Sequence, residues 1–177
     1  MYDYVKGDIK MEKRLLLLGL LRSHEMHGYQ LNEILKNELG LPIKLKKSNA
    51  YKLLTDMENE GLIIHHEKQE GNRPVRRVYS ITKKGEEAFL NFLRKNIATC
   101  PSPQFPAVVG LDFMFALSSD EVVSLLQERL ELLNKKFQAL DALSEDIRQS
   151  HLSIEYHHNY YKNEIQWLTK IIDRYQS

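Results

Sequence analysis

Three prolines, Pro101, Pro103 and Pro106, fall within six residues near the middle of the chain. A helix cannot run through such a cluster, because each proline lacks an amide hydrogen and its ring clashes with the preceding turn. The 177 residues are therefore expected to form two segments, 1–99 and 107–177, joined by a linker at 100–106. That length suffices for two small domains. Charge divides at the same place. Residues 1–99 hold 18 Lys/Arg against 13 Asp/Glu, a net of +5, and residues 100–177 hold 7 against 11, a net of −4. A basic half joined to an acidic one suits a protein in which only the first meets a polyanion, although chance partition between two solvated surfaces gives the same counts.

In the first segment the apolar spacing predicts a helix over 10–22, with Met11, Leu15, Leu18 and Leu21 inward and Leu16, Leu17 and Leu20 widening the stripe. A turn at 23–28 leads to a second helix over 29–39, closed by Gly40. After Pro42 and a short extended stretch, a third helix is expected from Ser48 to Glu60, with Ala50, Tyr51, Leu53, Leu54 and Met57 as its apolar positions and Gly61 as its stop. Residues 62–68 and 75–81 read as strands around the turn cluster Gln69-Glu70-Gly71-Asn72-Arg73-Pro74. Thr82 is positioned to cap a fourth helix running to about Asn96. Three helices, a hairpin and a helix make a winged helix-turn-helix.

The second segment is all helical. A short helix over 106–117 carries Val109, Phe113 and Phe115. Ser118 and Glu121 have capping-box spacing before a long helix with Val123, Leu126, Leu130, Leu133, Phe137, Leu140, Ser144 and Ile147 on one seam. A last helix over 152–176 repeats the pattern with Ile154, His158, Tyr161, Ile165, Leu168, Ile172 and Tyr175. Such coiled-coil-like seams require partner helices, supplied by each other, by a second copy, or by both. The expected class is mainly α with a small β-hairpin: a winged helix-turn-helix domain plus a C-terminal helical dimerisation domain.

Catalytic patterns are absent from the sequence. There is no Gly-rich phosphate loop, no Gly-x-Ser-x-Gly elbow and no His-Glu-x-x-His. His65 and His66 alternate across a strand and cannot chelate one ion, and His24, His27 and His158 have no companions at ligand spacing. A lone Cys100 forms no intrachain disulfide or zinc cluster. No enzyme, cofactor or metal is expected. With no apolar run of about 18 residues and no signal-peptide core, a cytoplasmic protein away from membranes is expected.

The segment Lys44-Leu45-Lys46-Lys47-Ser48-Asn49-Ala50-Tyr51-Lys52 carries the functional signal. A helix N-terminus offers unpaired amide groups and the positive end of the helix dipole to a phosphate. Asn reads adenine, Lys reaches guanine acceptors, and residues at this end of a recognition helix meet base edges. Lys46, Lys47, Ser48, Asn49 and Lys52 are the candidate DNA contacts. Tyr51 either packs inward or holds a phosphate. On the wing, Arg73 and Arg76 are the candidate backbone or minor-groove contacts ahead of Arg77, which shares a face with Tyr79. The competing account is a capped, solvated helix beside a charged edge strand. Aromatic residues of the second segment, Phe113, Tyr161 and Trp167 with Tyr156 and Tyr160, are candidates for a small-molecule effector pocket, with ordinary packing as the alternative.

Several blocks together resemble the PadR family of transcriptional regulators: Leu17-Leu18-Gly19-Leu20-Leu21, Met26-His27-Gly28-Tyr29-Gln30-Leu31, Ala50-Tyr51-Lys52-Leu53-Leu54, Met57-Glu58-Asn59-Glu60-Gly61-Leu62-Ile63, Gly71-Asn72-Arg73-Pro74, and Arg77-Val78-Tyr79-Ser80-Ile81-Thr82-Lys83-Lys84-Gly85. The C-terminal helices, with Glu164-Ile165-Gln166-Trp167-Leu168, resemble the longer two-domain subgroup. The lead into the recognition helix departs from the family's Pro/Gly-Ser type, so no operator preference carries over. The resemblance implies a homodimer joined through the C-terminal helices, acting as a repressor on double-stranded DNA. A two-fold axis implies a palindromic operator. The alternative function is a winged-helix interaction module that recruits a protein partner through its helical arm.

Overall fold

The computed structural model describes residues 2–23, 25–27, 30–31, 33–34, 43–69, 76–100 and 105–176. The chain divides into two compact units near residue 101.

In the first unit, α1 (Tyr2–Ser23) starts earlier than the expected residue 10. No proline interrupts residues 2–9, and the single Gly7 costs about 1 kcal/mol in a helix interior, too little to stop it. Leu17, Leu18 and Leu21 are its buried positions, whereas Met11 and Leu15 are only partly covered. Met26–His27, expected as turn, form a two-residue strand β1. Of the expected second helix, residues 30, 31, 33 and 34 are helical and Leu31 is buried; the rest, with its Gly40 stop, lies outside the described residues.

Helix α2 (Lys47–Asn59) is the expected third helix. Ala50, Leu53, Leu54 and Met57 are buried at i, i+3, i+4 and i+7, one face of a 3.6-residue period. It ends in a Schellman turn. The Leu62 amide donates to the Met57 carbonyl and the Gly61 amide to the Glu58 carbonyl, both at 2.8 Å. Gly61 stands at φ +72°, which a side chain disfavours.

The chain passes directly into β2 (Ile63–Lys68) and returns as β3 (Arg76–Ile81). The antiparallel register runs from Ile63 opposite Ile81 to Lys68 opposite Arg76. Because β1 pairs with the other edge of β3, the sheet has three strands in the order β1-β3-β2. The central β3 buries the consecutive residues Val78 and Tyr79, so its middle is covered on both faces rather than alternating.

Helix α3 (Lys83–Ala98) is capped by Thr82, whose hydroxyl accepts from the Gly85 amide at 3.0 Å. The Thr82 amide donates to the Leu62 carbonyl at 3.0 Å, tying the helix start to the end of α2. Gly85 has no room for a side chain: a Cβ there would lie 2.0 Å from the Leu62 oxygen. The stripe Ala88, Phe89, Phe92 and Leu93 is half-buried. Gly19 lets α1 approach α3, with Phe89 at 3.3 Å from where its Cβ would be. Arg14 pairs with Glu60 and lies over the Phe92 ring, and Arg22 pairs with Glu86 at 2.9 Å.

In the second unit the expected helix over 106–117 is instead a series of short turns: 3-10 turns at Pro106–Val108 and Met114–Ala116 flank the four-residue helix α4 (Val109–Asp112). No side chain caps any of them, and nucleating a helix with so few hydrogen bonds is unfavourable. Helix α5 (Ser119–Asp141) begins at the expected cap, with the Ser118 hydroxyl accepting from the Glu121 amide at 3.3 Å. It does not run on to Ile147. The chain turns after Asp141, Ser144 caps a short α6 (Glu145–Ser150) instead of lying on the seam, and Ile147 is exposed. Helix α7 (Leu152–Gln176) then packs against α5. Val122, Leu126, Leu168 and Ile172 form the core of that pair. Val122, not Val123, is the buried position of the first turn. Early α5 meets late α7, while Asp141 meets His158 at 3.1 Å, so the two helices are antiparallel and pair with each other.

Candidate nucleic-acid interface

The burial of one face of α2 determines what its other face offers. With Ala50, Leu53, Leu54 and Met57 inward, the residues Lys46, Lys47, Ser48, Asn49 and Lys52 are all exposed. Ser48, Lys52, Thr55 and Asn59 continue as one solvent-facing stripe. Thr55 and Asn59 are not among the expected contacts; the period that places Ser48 and Lys52 outward also places them there. The Thr55 hydroxyl donates to the Tyr51 carbonyl at 3.1 Å.

The electrostatics of this end run against ordinary helix stability. Carboxylates are favoured in a first turn and cations disfavoured, because of the dipole. Here the first turn has no acidic residue, and the N-cap position is Lys46, whose side chain makes no capping bond. Leu45 is buried while Lys44, Lys46 and Lys47 are exposed, so the lead anchors by one apolar side chain and presents its charge to solvent. Tyr51 is partly buried, and the Lys47 ammonium lies 6.0 Å from its ring centroid. The tyrosine thus serves both as packing and as a platform for a cation.

On the hairpin, Arg76 and Arg77 are both exposed. Arg76 stands opposite Lys68, placing two cations across the strands, whereas Arg77 stands opposite Glu67. Arg73 lies outside the described residues.

The candidate effector residues differ in their surroundings. Phe113 is exposed beside Phe115, with ring centroids 6.5 Å apart. Tyr161 is partly buried against Tyr160 and His157. Trp167 is exposed. Six residues separate Tyr161 from Trp167, about 9 Å along α7 and about 120° apart around it, so the two face different directions. Tyr160 is the titratable group of this region with a shifted phenol: partial burial, then the Glu164 carboxylate, hold it above its ordinary value of 10.0. Among the described residues no group of His, Cys, Asp and Glu is placed to hold a metal ion. Among them, too, no helix is long and apolar enough to cross a membrane.

A helix with a basic, outward-facing N-terminal end, followed at once by an antiparallel strand pair, is the winged-helix arrangement, in which such a helix can enter a DNA groove. Residues 17–91 match the Transcriptional regulator PadR-like family. It is 25% identical to the Negative transcriptional regulator PadR of Bacillus subtilis (strain 168) over 134 residues, 76% of this chain and 74% of that protein. The crystal structure of Bacillus subtilis PadR in complex with operator DNA has a TM-score of 0.78 at 25% identity, covering 92% of this chain and 98% of the other. The structure of the same protein with p-coumaric acid has a TM-score of 0.74 at 24% identity, over 93% and 98%.

Proposed function

We propose that the chain is a dimeric repressor that reads a palindromic operator through α2, with the β2–β3 hairpin on the flanking backbone. The observation that carries this reading is the exposed set Lys46, Lys47, Ser48, Asn49 and Lys52 around the start of α2. Its likeness to a negative regulator, and to a structure bound to operator DNA, supports both the ligand and the sign of regulation. Tyr51 and Arg76, with Arg73 at the hairpin turn, complete the proposed contacts. Residues 1–99 form the reader, 100–106 the linker and 107–177 the dimerisation arm. The protein acts in the cytoplasm by binding, not by catalysis.

Dimerisation through the arm is supported by what α5 and α7 leave uncovered. Leu125 and Leu132, seven residues apart on α5, are exposed, as are Tyr156, Tyr160 and Trp167 at i, i+4 and i+11 on α7. These stripes lie outside the α5–α7 seam and suit a second copy. A small-molecule effector binding at the aromatic residues of the arm, at Phe113 or at Tyr161 rather than in one pocket shared by Tyr161 and Trp167, would release the operator; the p-coumaric acid complex of the Bacillus subtilis protein supports that class of control.

The test is a titration with duplex DNA at several salt concentrations. Binding should weaken steeply with salt. Removing the charges of Lys46 and Lys47 should lower the slope of log affinity on log salt by about one for each phosphate no longer neutralised. A salt-insensitive affinity, unchanged in the double variant, would refute the reading.

A further inference from the structure

We infer that Glu58 and His65 form a positioning clasp that fixes the hairpin relative to α2, and so governs discrimination between DNA sequences more than affinity for DNA as such. The inference rests on the reading of α2 and the hairpin as the DNA interface. Glu58 lies in the last turn of α2, and its carboxylate Oε1 bonds His65 Nδ1 on β2. Both side chains are partly covered, at 31% and 26% exposure, so the bond is half-buried. His65 is also the cross-strand partner of Tyr79, and the two rings lie 5.8 Å apart. Tyr79 is in the core. The imidazole therefore rests on a fixed aromatic surface while it reaches the helix.

The geometry explains why such a clasp is useful. The backbone link from α2 to β2 is only the Schellman turn through Gly61. The base of the hairpin is also held by the Thr82 amide on the Leu62 carbonyl, and β3 by its pairing with β1, whereas along the outer strand β2 it is Glu58–His65 that ties a side chain to α2. This attachment, between residues seven apart in the chain, limits movement of β2 against α2. Such movement matters at a distance, because Lys68 and Arg76 stand three strand positions beyond His65, about 10 Å away at roughly 3.4 Å per residue. Phosphate contacts fix the register in which base contacts are made. A tilting hairpin still meets phosphates, but no longer holds Ser48, Asn49 and Lys52 in a single register.

The chemistry also fixes the imidazole. An ionised carboxylate only accepts, so Nδ1 must carry the hydrogen that bonds Glu58.

The experiment uses the full chain and a duplex that the wild-type protein selects from a random library, compared with an unselected duplex. Glu58→Ala and His65→Ala should each reduce the ratio of the two affinities about tenfold, the effect of losing a hydrogen bond to a charged group. The loss should fall on the selected duplex, with the unselected one within about twofold. The double variant should be no worse than either single one, as for two halves of one contact. Glu58→Gln keeps an acceptor oxygen and should restore most of the ratio. The side-chain 15N spectrum should show the Nδ1–H form of His65 in the wild type and lose it in Glu58→Ala. A ratio unchanged in both alanine variants overturns the clasp, as does a parallel loss on both duplexes that tracks a lowered Tm. A wild-type protein that selects no sequence would instead refute the DNA reading itself and take the clasp with it.

Discussion

The reader and the arm solve the same problem, burying an apolar face, in opposite ways. The reader closes on itself through point contacts that admit little variation: Gly85 against the Leu62 carbonyl, Gly19 against Phe89, and the Schellman turn at Gly61. Among the described residues its exposed large apolar side chains are few and scattered, at Ile64, Leu90 and Ile97. The arm has one seam between α5 and α7 and leaves a series of large apolar side chains in solvent, from Phe105 through Phe115 to Trp167. Exposed apolar side chains in such number offer a surface on which a partner can dock.

Four substitutions set that contrast at risk. Leu168→Ala, at a fully buried position of the arm core, should cost about 2–5 kcal/mol. Urea unfolding should show the loss in the arm, and a comparable loss in the reader's transition would contradict the independence of the two units. Gly85→Ala should cost the reader about 3 kcal/mol through its clash with the Leu62 carbonyl; near-neutral stability would mean that the α3 start is not held as tightly as its packing indicates. Thr82→Ala removes the N-cap of α3 and should cost about 1 kcal/mol by the same measurement. Leu132→Glu should leave the reader's stability within about 0.5 kcal/mol, as surface changes do, yet abolish self-association in sedimentation analysis. Retained dimerisation would place the partner surface elsewhere.

The smallest effect concerns pH. Tyr160 has a folded-state value above its ordinary 10.0, first from partial burial and then from Glu164. Below that ordinary value its phenol is neutral in both states. As pH rises past it, the unfolded phenol ionises before the folded one, and the arm loses stability until the raised value is passed. Tyr160→Phe should flatten this alkaline decline in thermal melts, with the reader's melting unchanged.

Where sequence and structure agree, the determinants are local. The stripe of α2 follows from Ala50, Leu53, Leu54 and Met57, and that same spacing makes Ser48, Asn49 and Lys52 legible as an outward surface. The caps at Thr82 and Ser118 are legible because a hydroxyl three residues before an amide is a short-range signal. The differences are non-local or marginal. Strand β1 is two residues long and exists only because β3 has an edge to pair with. The turn after Asp141 carries no proline or glycine, so the apolar spacing runs on through Ser144 although the helix does not. The Glu58–His65 contact depends on both the helix phase and the strand register. Alternation on β2 does set His65 and His66 on opposite faces, which is the one hint in the sequence that one of them turns toward the core.

The antiparallel run of α5 and α7 has a consequence for how such an arm can change over time. The chain enters and leaves the pair at the same end, where Val122 meets Ile172, while the turn between Asp141 and Leu152 sits at the opposite end. Seven residues added to each helix would lengthen the arm by about 10.5 Å without displacing the point at which it joins the rest of the protein. Arm length is therefore a dimension that insertion and deletion can adjust in steps, leaving the reading surface untouched.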